Sequence, residues 1–115
     1  MLFIVDGGVY ALASPLIGLI LDRRVDCKLL LLFGCQTISV GFFVLGPALE
    51  PSVAQLSTGA AIHGLGMALN FLSSYNLLVK GKAMGEVGLV TSLWIVSENA
   101  GGFLGALAGG AAYDV

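Results

Sequence analysis

Glu98 stands beside Asn99 inside a long apolar stretch, where an ionisable side chain must face a cavity or a partner because leaving water is costly. A carboxylate at that depth attracts a cationic amine or takes up an exchanged proton, or else it hydrogen-bonds to another helix. His63, the chain's single histidine, lies in a different apolar stretch with Gly64 and Gly66 close by. Imidazoles titrate near neutral pH, which suits a proton site facing a lumen. The plainer reading is a histidine donating to a backbone carbonyl while the two glycines admit a neighbouring helix.

Asn70, Ser73, Ser74 and Asn76 follow His63. Steps of three and four from Asn70 to Ser73 and Ser74 put these on one helical face. That face either lines a translocation path and hydrogen-bonds amine groups or bonds to other helices. Tyr10, Tyr75 and Trp94 are suited to packing on a cation or to anchoring at the membrane interface. Asp6 either draws cations towards an outer mouth or sits among headgroups. One histidine, two cysteines without paired ligands, and an Asp6-Gly7-Gly8 run with no phosphate-binding pattern give no reason to expect an enzyme, a metal or a cofactor.

The elements that carry these residues follow from composition. Of 115 residues, 57% are hydrophobic and 10% charged, with a mean hydropathy of +0.98. Soluble domains carry roughly a quarter charged residues, so so much apolar surface needs lipid. A hydrocarbon core of roughly 30 Å takes about 20 helical residues. Met1 to Leu21, Leu29 to Leu45, Val53 to Val79 and Leu89 to Tyr113 approach or exceed that length, and four spanning helices in an all-α membrane protein are predicted.

All five basic residues lie in two polar breaks: Arg23, Arg24 and Lys28 in the first, Lys80 and Lys82 in the last. The break around Gly46 to Ser52 has none. Because Lys and Arg are retained on the cytosolic side, the first and last breaks are expected there and both chain ends outside or in a lumen. The first stretch has no positively charged n-region and does not read as a signal peptide. Cys27 then faces reducing cytosol and Cys35 lies within a helix, so no disulfide is expected between them. The small net charge of -2 and basic residues confined to loops point to lipid headgroups rather than nucleic acid. Gly46-Pro47 should end the second helix and Pro51-Ser52 start the third, while Pro15 should bend the first.

Gly18-Leu19-Ile20-Leu21-Asp22-Arg23-Arg24, followed by Asp26 and Lys28, resembles the G-x-x-x-D-[RK] signature of major facilitator transporters. In that signature a glycine admits a neighbouring helix and a carboxylate at the membrane edge meets the positive end of another helix. The resemblance implies that Gly18, Asp22 and Arg23 form a cytosolic gate, with Asp22 near the start of the fourth helix. Val25 replaces the family's second glycine. An Asp-Arg-Arg loop is also an ordinary topology signal. Gly101, Gly105 and Gly109 recur every four residues beside Gly102, Ala106 and Gly110, a small-residue surface for helix packing. Gly105 to Gly110 is similar to the G-P-x-x-G-G element of facilitator antiporters, with Ala106 in place of Pro.

Longer segments extend the likeness: Tyr10-Ala11-Leu12-Ala13-Ser14-Pro15-Leu16-Ile17-Gly18, Leu45-Gly46-Pro47-Ala48, Ile62-His63-Gly64-Leu65-Gly66 and Leu89-Val90-Thr91-Ser92-Leu93-Trp94. In this order they resemble helices eight to eleven of the vesicular amine transporters, particularly the polyamine branch of solute carrier family 18. The resemblance implies one partial transporter domain over residues 1–115, within a major facilitator half. It also implies alternating-access exchange of organic cations for protons, a vesicle membrane, and the remaining helices of a transporter as partners. The alternative is a small four-helix membrane protein that assembles with or regulates another and moves nothing.

Overall fold

A computed structural model describes residues 2–22, 25–46 and 52–113. Every regular element among them is a helix: α1 (Leu2–Asp22), α2 (Cys27–Leu45), α3 (Val53–Val79) and α4 (Met84–Tyr113). The chain divides into two compact units, Met1–Leu77 and Leu78–Val115. Arg23, Arg24, Pro47, Glu50, Pro51 and Asp114 lie outside the described residues.

Local chemistry sets the helix ends. Asp26 caps α2, its Oδ1 accepting the Lys28 amide at 2.9 Å, which starts the helix at Cys27, two residues before the predicted Leu29. Ser52 does the same for α3, its Oγ accepting the Gln55 amide at 3.1 Å. Gln55 Nε2 then donates to the Val44 carbonyl at 2.8 Å and ties the start of α3 to the end of α2. After α3, Gly81 takes a φ of 81°, a left-handed conformation that costs a residue with a Cβ, and the Lys82 amide bonds the Val79 carbonyl. α4 begins at Met84, five residues before the expected Leu89. The Glu86 amide bonds the Ala83 carbonyl, and the Glu86 charge favours the helix N-terminus, so Gly85 and Gly88 are helical despite their low propensity. α1 runs unbroken through Pro15.

Four spanning helices are expected; among the described residues, three helices are long and apolar enough to cross a membrane by length and composition: α1, α2 and α4 over Gly85–Ala111. α3 is diluted by His63, Asn70, Ser73, Ser74 and Asn76. It also holds six buried residues, Gly59, Ala60, Gly64, Gly66, Ala68 and Ser73. A helix covered by its neighbours needs less apolar surface than one facing lipid. The large apolar residues lie outside: Phe3, Leu12, Phe33 and Phe43 are exposed. Such a surface suits hydrocarbon and not water. Thr37, Ser39, Thr58 and Ser14 donate to the carbonyls of Phe33, Cys35, Ala54 and Tyr10, so these hydroxyls are satisfied inside their own helices.

In the first unit α2 and α3 run antiparallel in one register. Leu45 lies against Gly59, Gly41 against the His63 backbone, Ile38 against Gly66 and Gly34 against the Asn70 backbone, and Cys27 Sγ is 3.6 Å from Asn76 Oδ1. The buried positions of α2 are Cys27, Gly34 and Gly41, one every seven residues. A seven-residue repeat keeps one seam facing its partner along two supercoiled helices. α1 joins them through Ile17 and Leu21, which cluster with Cys27 and Ala68, and through Tyr10, whose ring meets Phe71 edge-on at 6.1 Å.

Candidate functional site

His63 Nδ1 lies 2.9 Å from Asp6 Oδ1, joining α3 to α1. The side chains are 20% and 33% exposed respectively, so the pair is largely withdrawn from solvent. The helices can approach this closely because α3 has Gly64 next to the histidine: a Cβ there would collide with the Asp6 carbonyl oxygen. α2 closes the third side. The Phe42 ring sits 4.9 Å from the imidazole at 62°, and Gly41 packs on the His63 backbone, where a Cβ would stand 2.9 Å from Cα. A cavity of about 240 Å³ opens beside the pair, lined by Phe3, Asp6, Phe42, Leu45, Ala60 and His63 among others.

His63 bonds a carboxylate where the plainer of its two sequence readings had a backbone carbonyl, and Asp6, read as drawing cations or sitting among headgroups, is held by an imidazole. Gly64 and Gly66 do admit neighbours, Gly64 the backbone of Asp6 and Gly66 that of Ile38. With neutral His63 donating, the pair carries the net charge of the carboxylate. With His63 protonated it becomes an ion pair of zero net charge.

The polar face of α3 is mostly engaged within the bundle. Asn70 Nδ2 donates to Cys35 Sγ at 3.2 Å, Cys27 Sγ donates to Asn76 Oδ1, and Ser74 Oγ donates to the Phe71 carbonyl at 3.0 Å. Both cysteines are free thiols. Ser73 is fully buried and its hydroxyl has no hydrogen-bond partner among the described residues. None of these four groups lines the cavity at Asp6 and His63.

In the second unit, the side chains from Ile95 to Ala111 are exposed. Glu98 makes no hydrogen bond or ion pair among the described residues, whereas Ser97 and Asn99 donate to the Leu93 and Ile95 carbonyls of their own helix. At Gly101, Gly105, Gly109 and Gly110 a Cβ would meet nothing within 4 Å, and the same holds at Gly18 on α1. Asp22 ends α1 with an exposed side chain, and Arg23 lies outside the described residues. No group of three or more His, Cys, Asp or Glu residues is placed to hold a metal ion among the described residues.

Asp6 is the functional candidate that sequence reasoning undervalued. One signal was available: an acid and the chain's single histidine lie within two apolar stretches, each beside glycines, Asp6 before Gly7 and His63 before Gly64. Comparison with known proteins finds no matching family model, curated protein or solved structure.

Proposed function

We propose that the chain is part of a proton-coupled secondary transporter of the major facilitator type, exchanging organic cations, polyamines or monoamines, for protons by alternating access. The observation that supports this reading is the 2.9 Å contact of Asp6 on α1 with His63 on α3, an acid and an imidazole paired between two long helices. α3 crosses the membrane in this reading as well. It has 27 residues, about 40 Å of helix, and it runs beside the spanning α2 from Gln55 to Asn76. Both chain ends then lie on the lumenal or extracellular side, with Lys80 and Lys82 in the cytosol. In this reading Asp22 belongs to a cytosolic gate with Gly18 and Arg23, and Glu98 faces the cation path completed by further helices. The process moves ions and transforms nothing chemically, so no cofactor has a role in it.

The test is uptake of labelled spermidine into vesicles that carry the protein as the cell makes it, with an acidic interior. Uptake lost on collapsing the proton gradient, and lost again in Glu98→Gln and His63→Gln, supports the reading. Absence of gradient-driven uptake sinks it.

A second reading has its own observation. Asn70 and Asn76 engage Cys35 and Cys27, which occupies the polar face of α3 inside the bundle, as expected of a protein that assembles with another and transports nothing. Native-state cross-linking that captures a stoichiometric membrane partner, together with failed uptake, favours it.

A further inference from the structure

An apolar groove of about 360 Å³ lies wholly within the second unit. Leu78 near the end of α3, Lys82 in the turn that follows, and Val90, Leu93, Trp94 and Ser97 of α4 line it. The α4 residues are spaced by three, one and three positions, so they form one stripe along the helix. Val90 and Trp94 are half-buried, while Leu78, Lys82, Leu93 and Ser97 are exposed, which leaves the groove open on one side. An open apolar wall of this kind suits hydrocarbon and not water. Ser97 Oγ donates to the Leu93 carbonyl at 2.9 Å, so this hydroxyl is spent inside its own helix.

The charge in the lining is the Lys82 ammonium. Gly81 turns the chain with its left-handed backbone, and the Lys82 amide bonds the Val79 carbonyl, which fixes the backbone that carries this charge. Among the described residues the ammonium makes no ion pair. Glu86 and Glu98 stand four residues before Val90 and four after Trp94, one helical turn outside the stripe, and neither lines the groove. A wall that accepts hydrocarbon thus adjoins a cation that no carboxylate neutralises. The complementary molecule has an anionic head and an apolar chain. Anionic phospholipids have both and concentrate in the cytosolic leaflet, the side on which Lys80 and Lys82 are expected.

We propose that this groove holds one anionic phospholipid of the cytosolic leaflet, its headgroup on Lys82 and an acyl chain along Val90, Leu93, Trp94 and Ser97. The inference is independent of whether the protein transports anything. It separates Lys82 from Lys80, which is exposed two residues away and does not line the groove. A lysine near an anionic membrane surface contributes enough for about a fivefold preference.

Trp94 is the chain's single tryptophan, so its fluorescence reports this groove alone. The full chain is placed in phosphatidylcholine nanodiscs in which a small share of the lipid bears bromine, a contact quencher, on its acyl chains. That share is either phosphatidylserine or phosphatidylcholine. Brominated phosphatidylserine should quench Trp94 as strongly as about five times as much brominated phosphatidylcholine. Lys82→Gln should bring the two lipids to equality, Lys82→Glu should reverse their order, Lys82→Arg should keep the preference, and Lys80→Gln should leave most of it. Equal quenching by both lipids in the wild type, or a preference that survives Lys82→Gln and Lys82→Glu, overturns the proposal. Equal losses in Lys80→Gln and Lys82→Gln do so as well, because they mark diffuse surface charge rather than a site. A Trp94 that neither lipid quenches also overturns it, since a protein segment or a second copy then covers the groove.

Discussion

Gly34 of α2 lies so close to Asn70 of α3 that a Cβ on the glycine would stand 2.7 Å from the Asn70 amide nitrogen. The same closeness recurs one heptad further along α2 at Gly41 and His63, and between them at Ile38 and Gly66. In a membrane, apolar side chains gain little by leaving lipid for one another, so association depends on van der Waals contact and interhelical hydrogen bonds. Backbone touching backbone along a glycine seam maximises the first. The Asn70 to Cys35 bond adds the second.

Adding a methyl group to this seam should be costly, and adding one to α4 should not. Gly34→Ala and Gly66→Ala each force a shift against backbone atoms and should destabilise the protein by about 1–3 kcal/mol. Gly105→Ala meets open space and should be neutral or stabilising by up to about 1 kcal/mol through helix propensity. Thermal unfolding in detergent ranks the three. Equal effects at all three positions would show that the seam is not a closely packed contact.

The Asp6 and His63 contact should register as coupling between the two positions. In a double-mutant cycle of Asp6→Asn and His63→Gln, an interaction energy of about 1 kcal/mol is expected, near the range seen for interhelical hydrogen bonds in membranes. Strictly additive losses would mean that the 2.9 Å contact contributes nothing to holding α1 on α3.

Ser73 has the opposite sign. Its buried hydroxyl lacks a partner among the described residues, and a buried polar group left unsatisfied costs about 1–3 kcal/mol. Ser73→Ala should therefore leave stability unchanged or raise it, by up to about 1 kcal/mol once the loss of packed volume is deducted. A clear drop in unfolding temperature would reveal a bond that the hydroxyl makes in the membrane.

The capping contact at Asp26 gives a local prediction. Removing its side chain in Asp26→Ala should cost about 1 kcal/mol and fray the first turn of α2 at Cys27 and Lys28. Faster amide exchange confined to that turn is the expected signature, and unchanged exchange there counts against the cap.

The sequence made the helical architecture legible because long apolar stretches and sparse charges leave few alternatives. α2 and α3 end at Leu45 and Val79, as hydropathy and the Gly46-Pro47 pair suggest. The starts of α2 and α4 were less visible, since Asp26 and Glu86 belong to polar breaks and act through backbone amides that hydropathy does not register. The glycines divide in another way. The four-residue row from Gly101 to Gly109 is conspicuous along one helix, whereas the close approaches at Gly34, Gly41, Gly59, Gly64 and Gly66 show no such row, because their spacing matters only once a facing helix is known. Asp6 and His63 are separated by more than fifty positions, and local periodicity carries no trace of their meeting.

The placement of Phe3, Leu12, Phe33 and Phe43 outside and of Gly34, Gly41, Gly59 and Gly66 within reverses the mutational tolerance familiar from water-soluble proteins. In those, the surface drifts freely in size and is held to polarity, while the interior is filled by bulk. Here the outward positions accept any apolar residue and reject charge, and the inward ones are limited by volume before polarity, as the asparagine, histidine and serine residues admitted beside the glycines attest. Sequence divergence from this chain should accordingly accumulate as exchange among Leu, Ile, Val and Phe on the outside, with residue size nearly frozen along the heptad line of α2 and its counterpart on α3.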